Sequence, residues 1–460
     1  PEPVIAFDDM ASPRLYSGKA KFKTYSPDGL FPEREFELEL VSGIVQPEAN
    51  TYMLKAGAKQ GIFIPVSRVN TAYEYYKKLL DHDAVLSDKQ GLPGSKEDFM
   101  LNKLDADDDW RVNIVWTDIK EAGGHNDIEK AGLSELSEQG GPGPGSYIYV
   151  KPGQTPGIVL IEIKSGKIKG NPTLWSWHIW IVDKYPTVLD VASQGGDGPK
   201  TVQLMSHLMG ANERVQSQYS ADAYREFGMQ YQWGRKDPFP AHDVRVNKNF
   251  YDGSGKLFDF LWEQRGNDVN YGKTDAQQAR GAALTMKQSI EHPNAIVSHQ
   301  SFWLYECFPH GFVSYFKDRW VFLYPWNQPS QTGNPEDVGG KTVFDPSPYG
   351  FRIMSQKEAV TLRFAYYYAS RSGLNTPLPG SIYDGSFTDG KSGGNEVIFA
   401  VAQARSDTHA GRYLLNSTGG PAGWAPTSNT SAVYRRCMTY SVRPVVDPDV
   451  KDDYEKYLPQ

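Results

Sequence analysis

Cysteine is almost missing from this chain. Cys307 and Cys437 are the two in 460 residues, enough for one internal bridge at most and for no cysteine-based metal spacing, so they leave the redox compartment open. Nothing in their neighbourhoods pairs them, and the bridge is expected to be absent. Long apolar runs are missing too: none reaches the roughly 18 residues that a bilayer-crossing helix takes. The chain starts at Pro1 without a charged and apolar leader, which reads as a protein that is cytosolic or has lost its signal, with no transmembrane segment. No basic cluster occurs, and the net charge of −7 is spread along the chain, so nucleic acid is excluded as an electrostatic partner. The nine histidines form neither H-E-x-x-H nor an i, i+4 pair, which removes the usual helical zinc site. A G-x-S-x-G elbow is absent, and Gly253-Ser254-Gly255-Lys256 lacks the spacing of a phosphate loop and reads as a turn. Asp105, Asp107 and Asp109 begin like a calcium loop, yet Trp110 stands where glycine is needed and Trp116 where the bidentate glutamate belongs. A solvated acidic loop is the expectation, with no cofactor and no metal.

Aromatics and turn formers are abundant instead. Twenty-seven Tyr, 11 Trp, 44 Gly and 31 Pro favour short strands and frequent turns over long helices. The length exceeds the roughly 250–300 residues at which a single core stops growing, so two or three domains are expected. The chain is organised around Leu174 to Asp183, LWSWHIWIVD. Its aromatic and β-branched content, with Asn171-Pro172 before it and Pro186 after it, predicts a buried strand. One face carries Trp175, Trp177, Ile179 and Ile181; the other carries Leu174, Ser176, His178, Trp180 and Val182. His178 reads as a hydrogen-bonded core residue rather than a ligand.

In chain order, REFELELVS alternates Phe36, Leu38 and Leu40 with Glu35, Glu37 and Glu39, the pattern of a half-buried strand. Thr51 to Lys55 and Gly61 to Ser67 are predicted to form a hairpin about a Gly-containing turn. Tyr73, Tyr76 and Leu80 have helical spacing. Strands follow at Trp110 to Trp116, Tyr147 to Val150 and Ile158 to Lys164, with a Pro/Gly loop over 140–145, and the first domain is expected to close near Pro186. Beyond it, Thr274 with Gln277, before a run ending at His292-Pro293, and Ser355 with Glu358 have capping-box spacing, so two helices are expected among short strands and long connections. The class is therefore α+β and β-rich.

Several of these runs carry a resemblance. Ala49-Asn50 to Asn70, Tyr147 to Val150, LWSWHIWIVD and YQWGRKDPFP resemble segments of Bacteroidetes surface proteins of the fimbrillin and fimbrial-tip adhesin class. KTVFDPSPYGFRI and SVRPVVD resemble the ends of the FISUMP, or major paralogous, domain, which is similar to C-type-lectin-like folds. The match covers about Ala49 to Asp447. It implies end strands of an N-terminal β-domain over 1–45, an Ig-like or fimbrillin-type β-sandwich over 46–186, and a C-type-lectin-like α+β domain over 187–460. Ser347 and Pro444 stand where the family usually has cysteine, so its disulfide is lost from both ends.

The resemblance implies a non-enzymatic cell-surface adhesin, outer-membrane or fimbrial, whose signal has been removed. Its implied partners are other pilus subunits and a host or bacterial surface glycan or protein. Two other classes stay open: a structural pilus subunit, and an enzyme on a lectin-like fold similar to formylglycine-generating enzymes. Against the first, the polar tail DPDVKDDYEKYLPQ after a lectin-like domain looks like a tip; against the second, no convergent catalytic set is visible. EPN, QPD and WND sugar triads do not occur. Trp326, Asn327 and Trp424 lie in turn-rich segments where an indole face can stack on a sugar, and they are the candidate ligand-binding residues; core packing is their other reading.

Overall fold

The computed structural model describes residues 14–15, 19–24, 34–39, 43–82, 100–119, 132–192, 201–212, 228–240, 250–258, 286–294, 327–329, 338–355, 358, 381–383, 386–388, 396–404, 410–416, 439–450 and 457–459. Strand dominates over helix among them, in several sheets, which makes the chain β-rich α+β.

The first half supplies β1 (Arg14–Leu15), β2 (Lys19–Thr24), β3 (Arg34–Glu39), β4 (Gly43–Val45), β5 (Thr51–Lys55) and β6 (Gly61–Pro65). Helix α1 (Arg68–His82) follows, with Tyr76 buried as the helical spacing predicts. Next come β7 (Trp110–Thr117), β8 (Leu133–Gln139), β9 (Tyr147–Pro152), β10 (Gly157–Ser165) and β11 (Thr173–Val182). Every residue of β11 is buried, as expected of a strand with two apolar faces. In the β2–β3 ribbon, Lys19, Lys21 and Lys23 lie opposite Glu39, Glu37 and Glu35.

The second half supplies β12 (Val188–Ala192), β13 (Thr201–Met205), β14 (Met229–Gln232), β15 (Phe239–Pro240), β16 (Phe250–Tyr251) and β17 (Leu257–Phe258). Asp252 Oδ1 accepts from Ser254 N and Lys256 N, 2.9 Å each, so the Gly253-Ser254-Gly255 run is the turn between β16 and β17. Helix α2 (Met286–Glu291) ends before His292-Pro293; the expected start at Thr274 lies outside the described residues. After it come β18 (Asn327–Pro329), β19 (Val338–Lys341), β20 (Phe351–Arg352), β21 (Ser381–Tyr383) and β22 (Ser386–Thr388). The remaining strands are β23 (Glu396–Ala404), β24 (Ala410–Asn416), β25 (Thr439–Ser441) and β26 (Val445–Val446). The capping box at Ser355 forms: Glu358 N donates to Ser355 Oγ (3.1 Å) and Ser355 N to Glu358 Oε2 (2.8 Å).

Two large sheets share one core. One has the order β1-β4-β6-β9-β8 and the other β17-β16-β7-β10-β11-β5. Ile62, Ile64, Ile148 and Val150 of the first join Trp116, Ile161, Trp177 and Ile179 of the second in a single buried cluster. That cluster also holds Met205, Tyr231, Trp233, Phe344 and Val442, so sheet and core both continue across Pro186. Two further sheets, β12-β13-β26-β20 and β15-β14-β25-β23-β24, each carry a strand from the end of the chain at an interior position. The described part of the tail folds back onto the body. Tyr185 OH donates to the Pro459 carbonyl (2.6 Å), Gln46 Nε2 donates to that of Tyr457, and the Tyr457 ring meets Tyr349 edge-on at 5.2 Å.

The expected β5–β6 hairpin is corrected. A turn forms there, with Gly57 at φ 71° and Ala58 N bonded to the Lys55 carbonyl at 3.0 Å, but the two strands enter different sheets. β5 lies parallel to β11, with Thr51 opposite His178, and β6 lies parallel to β4, with Gly61 opposite Gly43. The turn reverses the chain without pairing its arms, because each arm is buried along nearly its whole length and is covered by other strands, β5 by β11 and β6 by β4 and β9. Cys307 and Cys437 lie outside the described residues.

Candidate functional site

The polar residues of greatest chemical interest gather at the junction of β5, β11, the β14–β15 turn and the loop from Thr342 to Gly350. Ser176 and His178 share one face of β11, and that face is covered by the second half of the chain. Ser176 Oγ donates to Asp237 Oδ1 (2.6 Å), His178 Nδ1 lies 3.1 Å from Tyr231 OH, and Trp180 Nε1 donates to the Ala211 carbonyl at 3.1 Å. Thr51 Oγ1 approaches the same His178 nitrogen at 3.3 Å and donates to the Pro346 carbonyl at 2.6 Å. Among the described residues His178 Nε2 has no partner. Burial drives the His178 pKa down to about 3, so the ring stays neutral.

Arg235, Lys236 and Asp237 sit in the β14–β15 turn and are all buried. Lys236 Nζ pairs with Asp237 Oδ1 at 2.7 Å, donates to the Ser176 carbonyl at 3.0 Å and stands 4.6 Å over the Trp175 ring. Burial lowers its pKa to about 8 against the opposing pull of Asp237. Arg235 donates to the carbonyls of Ser289 (3.2 Å) and His292 (3.1 Å), at the C-terminal end of α2, where a cation is favourable. A serine beside a lysine of lowered pKa is the pairing that acyl-transfer chemistry uses. Here the set is closed off: Ser176 is buried, Lys236 and Asp237 are only 2% and 3% exposed, and Ser176 Oγ, Lys236 Nζ and Asp237 Oδ1 are engaged with the chain's own groups. The arrangement ties the β14–β15 turn to β11.

The loop from Thr342 to Gly350 presents carbonyls inward, and side chains from elsewhere take them up. Asn50 Nδ2 donates to the carbonyls of Val343 and Asp345, 2.8 Å each, while its Oδ1 accepts from Trp175 Nε1 at 3.1 Å. Arg68, at the start of α1, also donates to the Val343 carbonyl, at 2.8 Å. Lys341 Nζ donates to the carbonyls of Ser347 (2.5 Å), Pro348 (2.9 Å) and Phe351 (2.8 Å). Asp345 is fully buried and accepts from Ser347 N (2.7 Å) and Ile353 N (2.9 Å). Pro346 and Pro348 have no N–H to give a sheet, so this irregular path, stitched by side chains, satisfies the buried backbone.

Of the sequence-predicted ligand residues, Asn327 opens β18 and lies opposite Lys341 of β19; Trp326 and Trp424 lie outside the described residues. The expected acidic loop is solvated at Asp105, Asp107 and Asp109, whereas Asp108 is buried, with Lys167 at 2.9 Å from Asp107 and 3.3 Å from Asp108. Ser347, where the resemblance implies cysteine, is buried, and its hydroxyl has no partner among the described residues. The Pro444 carbonyl accepts from Met205 N at 3.0 Å. Sequence reasoning missed Asn50, Ser176, Lys236, Asp237, Lys341 and Asp345 as one connected set. Their signal was present: each sits inside one of the runs that carry the resemblance, and those runs meet here.

Comparison with family models, with curated proteins and with solved structures gives no match for this chain.

Proposed function

We propose that the chain is a cell-surface adhesin, a β-sandwich joined to a C-type-lectin-like domain, that works as a pilus-tip subunit and binds a glycan or protein ligand without catalysis. The observation that carries a binding role is the condition of its reactive groups. Among the described residues, Ser176, Lys236, His178, Asp237 and Asp345 are buried and committed to holding loops and strands together. Long connections on a scaffold so pinned are where recognition surfaces are built. Pinning the Thr342 to Gly350 loop with side-chain donors gives the neighbouring β18–β19 ribbon, which begins at Asn327, a rigid base.

The test is attachment. Trp326→Ala and Trp424→Ala are each expected to lower adhesion to a glycan array and to other cells while leaving the thermal midpoint unchanged, and a chelator is expected to make no difference. A single contact of this kind is weak, so the readout needs a multivalent display. A large drop in midpoint without selective loss of adhesion would remove these residues from the site. Turnover of any substrate at enzyme-like rates would overturn the adhesin reading.

A further inference from the structure

The ammonium of Lys341 occupies the position that a bound cation would take. Three main-chain carbonyls, those of Ser347, Pro348 and Phe351, converge on Nζ within 2.9 Å, and the carboxylate of Asp345 faces it at 3.6 Å. All four oxygens belong to one short stretch of chain, residues 345 to 351, which curls round the ammonium. The carbonyl ring satisfies the three N–H donors that a lysine carries. A ring of carbonyl oxygens is also how proteins replace the hydration shell of a monovalent cation.

We propose that Lys341 is a tethered cation: its ammonium fills an oxygen-lined site built by residues 345–351, and with the side chain shortened the same site takes a free monovalent cation of ammonium or potassium size. Charge and distance both select the class. One carboxylate in the ring balances one positive charge, whereas a calcium site generally gathers several. Of the four separations only that to the Ser347 carbonyl, 2.5 Å, falls within the roughly 2.3–2.6 Å of calcium; those to the Pro348 and Phe351 carbonyls, 2.9 and 2.8 Å, and to the Asp345 carboxylate, 3.6 Å, are longer, and all four exceed the roughly 2.0–2.1 Å of magnesium. The inference stands apart from the adhesin reading, since it concerns how the loop holds its shape whatever the loop serves.

The test uses the full chain and the variants Lys341→Ala and Lys341→Met, melted in equal concentrations of the chlorides of ammonium, potassium, sodium, tetramethylammonium and, at matched ionic strength, calcium. The wild-type midpoint is expected to be the same in the ammonium and tetramethylammonium salts. Lys341→Ala should melt several degrees lower in tetramethylammonium and regain at least half of that loss in ammonium or potassium. Lys341→Met, whose side chain fills the space without a charge, should stay low in every salt. The proposal is overturned if Lys341→Ala ignores the choice of monovalent cation, if calcium alone rescues it, or if Lys341→Met is as stable as the wild type. Should Lys341→Ala fail to fold as expressed, its refolding yield in ammonium against tetramethylammonium becomes the readout, and equal yields overturn the proposal.

Discussion

Replacing Asn50 by alanine should be among the costliest single truncations in the molecule, although it removes few atoms. The Asn50 amide makes three buried hydrogen bonds: it donates to the Val343 and Asp345 carbonyls and accepts from the Trp175 indole. Val343 keeps the Arg68 guanidinium in the variant, so its carbonyl stays paired. Trp175 Nε1 and the Asp345 carbonyl lose the Asn50 amide in a site that water does not reach, Asn50 itself being 1% exposed. Each buried group left unpaired costs about 1–3 kcal/mol, so Asn50→Ala, which leaves two, should lose about 2–6 kcal/mol. Urea denaturation followed by tryptophan fluorescence measures it. A double-mutant cycle with Trp175→Phe, which removes the indole N–H, should recover about 1 kcal/mol as a coupling term. A loss below about 1 kcal/mol, or a coupling of zero, would mean that the amide is not holding the loop to the strand and would refute the account of the junction.

Three further outcomes are expected. The His178 ring is held neutral to about pH 3, while the unfolded chain takes up a proton near the ordinary value of 6.5, so the unfolded state binds more protons between those limits. Stability is therefore full above pH 6.5 and falls by about 1.4 kcal/mol per pH unit below it from this group alone; His178→Gln should flatten that slope in urea melts between pH 4.5 and 7.5. Lys236→Met leaves the Asp237 carboxylate buried without its cation and should cost about 3–5 kcal/mol, most of it recovered in Lys236→Met/Asp237→Leu; a double variant no better than the single one would argue against the ion pair. Ser347→Ala and Ser347→Cys remove a buried hydroxyl without a described partner and should each raise stability by about 1 kcal/mol, read as a higher urea midpoint.

The tryptophan strand, α1 and the strands at Trp110, Tyr147 and Ile158 were legible because their signals are local: side-chain size and period declare a strand or helix wherever it packs. The β5–β6 connection was misread because Gly57 makes the same turn whether its arms pair or part. The decision rests with the strands that take the arms, β11 through His178 and β4 through Gly43, which belong to different sheets and lie outside the turn's own sequence. The buried network was hidden for a related reason. Arg235-Lys236-Asp237 are three consecutive charges in the sequence, and only the convergence of Ser176, Trp175 and the end of α2 on that turn makes their burial affordable. Lys341 and Asp345 were likewise visible as residues but not as a pair, since four positions along an irregular, proline-containing path carry no periodicity to read.

The interior placement of β25 and β26 bears on the order in which the protein is made. β25 separates β14 from β23, and β26 separates β13 from β20, so two sheets lack a middle strand until residues 439–446 are present. A chain emerging in sequence order from a ribosome would hold β13, β14, β20 and β23 with unpaired inner edges until residues 439–446 had appeared. Such edges pair readily with other chains. This region can then fold only once residues 439–446 have emerged, and a chaperone that shields strand edges until then is the help it would need.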